Sequence, residues 1–286
     1  MHHSTSLSAV NLPLIRGVGM QTPMFELYGQ GNPALIMLHG ARSSLRAWEP
    51  LIQPLQRYSI TWLALDLFGH GQSPPLDNIE DSLAMATSLL NWLNHRMTAP
   101  VILVGHSRGG RFALEMATLL PKSPRVVRGL ILISPSGQPK GFNPKSLRSL
   151  PRLQRAYADK GSTLTPYDAE RYQEDTFLAR QFEAQFDKLD DRNLFGVLPR
   201  LHKVRVPVHL IWGDSDQIVD PSWSGVLRRK IPCRTRLIVV PNAAHMAMQE
   251  QPTVVTAIIR QCYGQLLQSN RTQCTQQRRG IDNPQL

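Results

Sequence analysis

The chain has 286 residues, of which 42% are hydrophobic and 19% charged, the balance of a globular protein and not of a disordered or fibrous one. A chain of this length buries about three quarters of its unfolded surface, enough for one large α/β domain. The net charge is +11, but the basic residues are spread along the chain with short clusters only at Arg228-Arg229-Lys230 and Arg278-Arg279; with no helix-turn-helix, zinc or RNA-binding signature beside them, a nucleic-acid partner is not expected.

Short apolar runs alternate with helix-like stretches along the sequence. Strands are predicted near residues 23–28, 34–38, 60–65, 101–105, 129–134, 207–212 and 235–240. Helices are predicted over about 44–56, 80–95, 108–120, 222–230 and 252–268. Strands that alternate with helices specify a mostly parallel sheet covered on both faces. The alternation breaks between Pro135 and Val204. That segment opens in the loop-rich Pro135-Ser136-Gly137-Gln138-Pro139-Lys140-Gly141 and continues as helices with Leu, Tyr and Phe at mixed spacing. Residues 271–286, rich in Gln, Asn and Arg, are expected to form a disordered tail.

No apolar run approaches the roughly 20 residues that cross a bilayer. Met1-His2-His3-Ser4-Thr5-Ser6 lacks the basic segment and apolar core of a secretory signal. Cys233, Cys262 and Cys274 are too few and too scattered for a disulfide framework, and their odd number argues for free thiols. A cytoplasmic location is therefore expected. Nothing has metal-ligand spacing, and Gly69-x-Gly71 is no dinucleotide fingerprint, so neither a metal nor a cofactor is expected.

The most informative stretch is Gly105-His106-Ser107-Arg108-Gly109, with the strand-like Val101-Ile102-Leu103-Val104 before it and the helix-like Phe112-Ala113-Leu114-Glu115-Met116-Ala117 after it. Between a strand and a helix, Gly-x-Ser-x-Gly makes a sharp turn that exposes a serine hydroxyl above the sheet. A hydroxyl is a weak nucleophile and needs a base, which in turn needs an orienting acid. Val206-Pro207-Val208-His209-Leu210-Ile211-Trp212 reads as a strand ending in Gly213-Asp214-Ser215-Asp216. Thr235-Arg236-Leu237-Ile238-Val239-Val240 reads as another, followed by Pro241-Asn242-Ala243-Ala244-His245. In a parallel sheet the carboxyl ends of the strands share one side, where Ser107, an aspartate and His245 can converge. Asp214 and Asp220 are the neighbours that compete with Asp216 for the acid position. His39, His70 and His106 are expected to shape loops and turns, and Asp66 to cap the turn after its strand.

These residues resemble the α/β-hydrolase family. Gly31-Asn32-Pro33-Ala34-Leu35-Ile36-Met37-Leu38-His39-Gly40 is similar to the family's third strand and His-Gly oxyanion loop. Leu65-Asp66-Leu67-Phe68-Gly69-His70-Gly71-Gln72-Ser73 is similar to its Asp-x-x-Gly-x-Gly-x-Ser turn. Gly213-Asp214-Ser215-Asp216 resembles the acid loop, in which the second aspartate is usually the acid, and His245 with Glu250 and Pro252 resembles the catalytic-histidine segment. Ala244 departs from the glycine common there. The resemblance implies a mostly parallel sheet of roughly eight strands with helices on both faces. It also implies a core formed by residues 1–136 and 205–270, with a helical lid over 137–204 that sets substrate choice.

The resemblance further implies a Ser107, Asp216 and His245 triad with an oxyanion hole made by the backbone N–H groups of Ala41 and Arg108. The expected activity is hydrolysis of a carboxylic ester or thioester of a small to medium acyl substrate through an acyl-enzyme. Trp48, Arg111 and Met246 are candidates for substrate contact. Arg111 motivates an alternative, because Ser-x-Gly-Gly-Arg resembles the menaquinone-pathway synthase that eliminates pyruvate, where the arginine helps hold a substrate carboxylate; arginine is well suited to bidentate carboxylate binding. A carbon–carbon hydrolase or such a lyase therefore stays open, as does a low-turnover ligand receptor on the same scaffold. Neither oligomeric state nor the physiological substrate is specified by these motifs.

Overall fold

The protein is represented by a computed structural model in which residues 22–76, 82–121, 126–139 and 196–268 are described. Seven strands form one sheet: β1 (Phe25–Tyr28), β2 (Leu35–Leu38), β3 (Trp62–Leu65), β4 (Val101–His106), β5 (Val127–Ile133), β6 (Val208–Gly213) and β7 (Thr235–Val240). Their spatial order is β1-β3-β2-β4-β5-β6-β7. Only β1 and β3 pair antiparallel, with Phe25 opposite Leu65. The other neighbours are parallel, as Leu38 opposite Gly105 and Ile133 opposite Ile211 illustrate. Every predicted strand is present within two residues at either end. The family resemblance implied about eight strands, and the described residues contain seven, the number that the apolar runs themselves specified.

The central strands are continuous apolar runs because both faces are covered. Successive side chains point to opposite faces, and the packing follows that rule. Ile36, Leu38, Leu63, Leu65 and Leu103 join a cluster with α2 (Ser82–Arg96), α3 (Ser107–Leu119) and α4 (Trp223–Lys230). Leu35, Met37, Trp62, Ala64, Ile102 and Val104 pack on the other side with α1 (Ile52–Gln56), α5 (Ala247–Glu250) and α6 (Pro252–Gln268). The expected helix over 44–56 is a 3-10 helix at Leu45–Leu51 and becomes α-helical only at Ile52. Pro50 lies inside the first part and has no N–H to donate to an α-type ladder. Asp66 caps as expected, and at two points: Oδ1 accepts from Leu45 N at 2.7 Å and Oδ2 from Gln72 N at 2.9 Å.

Residues 140–195, most of the expected lid, and the expected tail at 271–286 lie outside the described residues. The two stems of that insertion are described and meet, with Val197 N donating to Gly137 O at 3.2 Å. Beyond the stem, a 3-10 helix at Leu198–Lys203 places Leu201 in the core, beside Val197 and Val204. Residues 196–204, expected within the lid, therefore pack as part of the main body. Cys262 is a free buried thiol, but Cys233 is disulfide-bonded, which corrects the expectation of free thiols there. No helix among the described residues is long and apolar enough to cross a membrane.

Candidate active site

Ser107 is the first residue of α3 and directly follows His106, the last residue of β4. Its φ is +49°, a left-handed conformation that costs a non-glycine residue on the order of 1–3 kcal/mol and persists only when the surroundings enforce it. The surroundings are tight. A Cβ on Gly109 would stand 2.2 Å from the Leu38 carbonyl oxygen, so only glycine lets α3 cross β2 this closely. Ser136 N donates to Ser107 O at 3.0 Å and fixes the turn from the β5 side.

The acid and base candidates meet at the same edge of the sheet. His245 Nδ1 donates to Asp216 Oδ2 at 3.0 Å, and both residues are buried. The second oxygen, Oδ1, accepts from Ile218 N at 2.9 Å and Val219 N at 3.0 Å. Burial opposes a charge on Asp216. The His245 imidazole outweighs it, together with hydrogen bonding from His245, Ser134 and Val219, and holds the carboxyl below its ordinary pKa. The Ser134 hydroxyl is fully buried and makes no well-formed bond of its own among the described residues, yet it favours the carboxylate form. Asp214 and Asp220 are turned elsewhere: Asp214 accepts from Asn242 N at 3.1 Å and Asp220 from Ser222 N at 2.8 Å. With Nδ1 committed to Asp216, the Nε2 of a neutral His245 is the nitrogen that can accept a proton.

The loop that carries Ala41 lies beside Ser107, since a Cβ on Gly40 would stand 3.4 Å from Ser107 Cβ. Arg108 is the second residue of α3, where backbone N–H groups and the helix dipole favour an anion. His39 is held on both ring nitrogens, accepting from Leu67 N at 2.9 Å and donating to Gly40 O at 2.7 Å. It shapes this loop and is not available as a base.

The three residues expected at the substrate are placed differently. Trp48 and Met246 belong to one core cluster, with Trp48 fully buried. Arg111 is buried on α3, where Nε donates to Glu115 Oε1 at 3.1 Å and an Nη to Ser82 Oγ at 2.8 Å. Arg200 completes the cluster, 3.3 Å from the same Glu115 oxygen. Arg111 is thus engaged by Glu115 and Ser82 within the fold. Sequence reasoning did not find Glu115, although Arg111 and Glu115 stand four apart on a helix, a spacing that pairs opposite charges. It also missed what Glu250 does: Oε2 accepts from Ala244 N at 2.6 Å and Oε1 from Met246 N at 3.2 Å, clamping the backbone on both sides of His245. Among the described residues no group of His, Cys, Asp or Glu could hold a metal ion.

The sequence pattern of the family described as the alpha/beta hydrolase family matches residues 35–258. The chain is similar to the dihydrolipoyllysine-residue acetyltransferase component of the acetoin cleaving system of Pseudomonas putida, at 27% identity over 248 residues, 79% of this chain and 62% of that protein. It thus spans less than two thirds of that relative. It is also similar to epoxide hydrolase 4 of Homo sapiens, at 24% identity over 265 residues, 80% of this chain and 72% of that one. Among solved structures, a membrane phospholipase A described as a bacterial virulence factor has a TM-score of 0.72 at 23% identity, covering 86% of this chain and 83% of the other. At that identity the likeness concerns the fold.

Proposed function

Because this chain belongs to the alpha/beta hydrolase family, we propose that it is a serine hydrolase that cleaves a carboxylic ester or thioester of a small to medium acyl group through an acyl-enzyme. The observation that carries this reading is the buried Asp216–His245 hydrogen bond at 3.0 Å, at the sheet edge where Ser107 is held at φ +49°. In the proposed reaction His245 Nε2 takes the proton of the Ser107 hydroxyl as the oxygen attacks the substrate carbonyl, then returns it to the leaving oxygen or sulfur. Asp216 keeps Nδ1 protonated and stabilises the imidazolium that forms. The N–H groups of Ala41 and Arg108 receive the tetrahedral oxyanion, and loss of one such donor typically costs on the order of a hundred- to thousandfold in rate. Water, activated in the same way, then releases the acyl group.

The buried ion pair of Arg111 supports this reading over a lyase that grips a carboxylate through that residue. The discriminating experiment combines turnover with covalent labelling. Purified protein should hydrolyse p-nitrophenyl acetate and butyrate, and a fluorescent serine-reactive phosphonate should label Ser107. Stoichiometric ligand binding with neither turnover nor labelling would instead favour a receptor on this scaffold.

A further inference from the structure

His106 lies between the nucleophile and the base, and the proposed mechanism gives it no part. Its side chain is buried, and Nε2 stands 2.9 Å from the backbone carbonyl oxygen of His245, 139 residues away in sequence. A carbonyl only accepts, so Nε2 carries the proton and donates. The tautomer leaves Nδ1 as a lone pair, which is buried and has no hydrogen-bond partner among the described residues. That edge of the ring rests against the oxyanion loop. A Cβ on Gly40 would stand 2.8 Å from Nδ1 and 3.2 Å from Cε1, so the loop can lie on the ring only because residue 40 has no side chain. The His106 and His245 rings are 4.7 Å apart at 55°.

We propose that His106 is a positioning residue, whose single buried ring sets the backbone of His245 and the Gly40–Ala41 loop relative to the adjacent Ser107. The proposal rests on the serine-hydrolase reading for its kinetic consequence. Asp216 fixes the His245 side chain and Glu250 fixes the N–H groups before and after it, but the His245 carbonyl is held by His106. Burial, with the nearby charge of His245 next, pushes the His106 pKa down to about 3. The ring therefore stays neutral throughout the assay range and keeps the tautomer that the carbonyl requires. It does not compete with His245 for the serine proton, since its lone pair on Nδ1 is buried against Gly40 and burial makes the ring a far weaker base.

Two variants separate the donor from the ring. His106→Phe keeps a planar ring and loses the donor, whereas in His106→Gln the amide nitrogen reaches about where Nε2 stands. Rates per phosphonate-labelled serine with p-nitrophenyl butyrate should fall on the order of ten- to hundredfold in kcat for His106→Phe with little change in KM, the signature of misplaced reacting groups. His106→Gln should recover most of that loss. Wild-type kcat in the Phe variant, or a Gln variant no better than Phe, would overturn the proposal. Nitrogen-15 spectra of the wild-type protein should show His106 as the Nε2–H tautomer, not titrating between about pH 5 and 8. The other tautomer, or titration in that range, would also overturn it, and this arm needs no variant to fold. If wild-type protein neither turns over esters nor takes the label, the hydrolase reading fails. The Nδ1–H resonance of His245 then decides the positioning role, which requires a shift in His106→Phe that is reversed in His106→Gln.

Discussion

His245 Nδ1 lies 3.0 Å from Asp216 Oδ2, in surroundings that leave the two residues 4% and 6% exposed. Asp214, two positions earlier, is exposed and accepts instead from Asn242 N and Ser215 Oγ. The two carboxylates should therefore differ sharply when each is made an amide. Asp216→Asn keeps the size but favours the wrong imidazole tautomer, a defect of about ten-thousandfold in the best-studied triad. Asp214→Asn should change ester turnover less than about tenfold, since it disturbs only a turn. Steady-state kinetics on both variants check this. The reverse order would make Asp214 the acid and would mean that the loop rearranges in the working enzyme.

Ser107 supplies a hydroxyl and pays for its backbone conformation. Ser107→Ala should abolish ester turnover, by on the order of a millionfold if the serine acts as nucleophiles do in a comparable triad, while the fold survives. Ser107→Gly should be equally inactive yet more stable than Ser107→Ala, because glycine adopts φ near +49° without the Cβ penalty. The expected difference is about 1 kcal/mol, or roughly 2–4 °C in Tm. Thermal melts that rank alanine above glycine would show that the turn is not strained, and residual turnover in both variants would remove Ser107 as nucleophile.

Much of this architecture was legible because its signals are local. Leu35–Leu38, Val101–His106 and Val208–Gly213 read as buried strands from composition alone, and the turns after them carry Gly and Asp where a parallel sheet opens its carboxyl edge. What escaped depends on contacts between distant segments. The His106–His245 bond joins residues 139 apart, and Glu115 meets Ser82 and Arg200 from two other elements. No periodicity encodes these partners. Trp48 and Met246 likewise belong to one core cluster through packing that no local pattern encodes.

Glu250 lies five residues beyond His245 and holds it through the main chain, since both of its oxygens accept N–H groups of the flanking residues. Glu250→Ala should free the segment and reduce kcat by about tenfold or more, as expected for a base displaced by a fraction of an ångström or more. The stability cost should be modest, about 1 kcal/mol, because the carboxylate is exposed and water can replace it. Parallel kinetics and urea unfolding separate the two effects. A stability loss with full activity per labelled serine would restrict Glu250 to a structural role.

Glu115 presents a buried carboxylate whose Oε1 receives Arg111, Ser82 and Arg200, while Oε2 has no hydrogen-bond partner among the described residues. Burial raises its pKa above the model-compound value of 4.5, and the two arginines and Ser82 only partly oppose this. The folded protein then holds this proton more tightly than the unfolded chain does. Stability from this group is complete below about pH 4.5 and declines as pH rises through the folded pKa, because unfolding releases a proton in that window. Glu115→Gln has no such proton to release. The unfolding free energy of the variant relative to wild type should therefore increase as the pH is raised from about 4.5, then level off. Urea titrations of both proteins across this range measure the difference directly. A wild type that gains on the glutamine variant with rising pH would mean that pairing with Arg111 and Arg200 outweighs burial, and that the cluster is a net source of stability in its charged form.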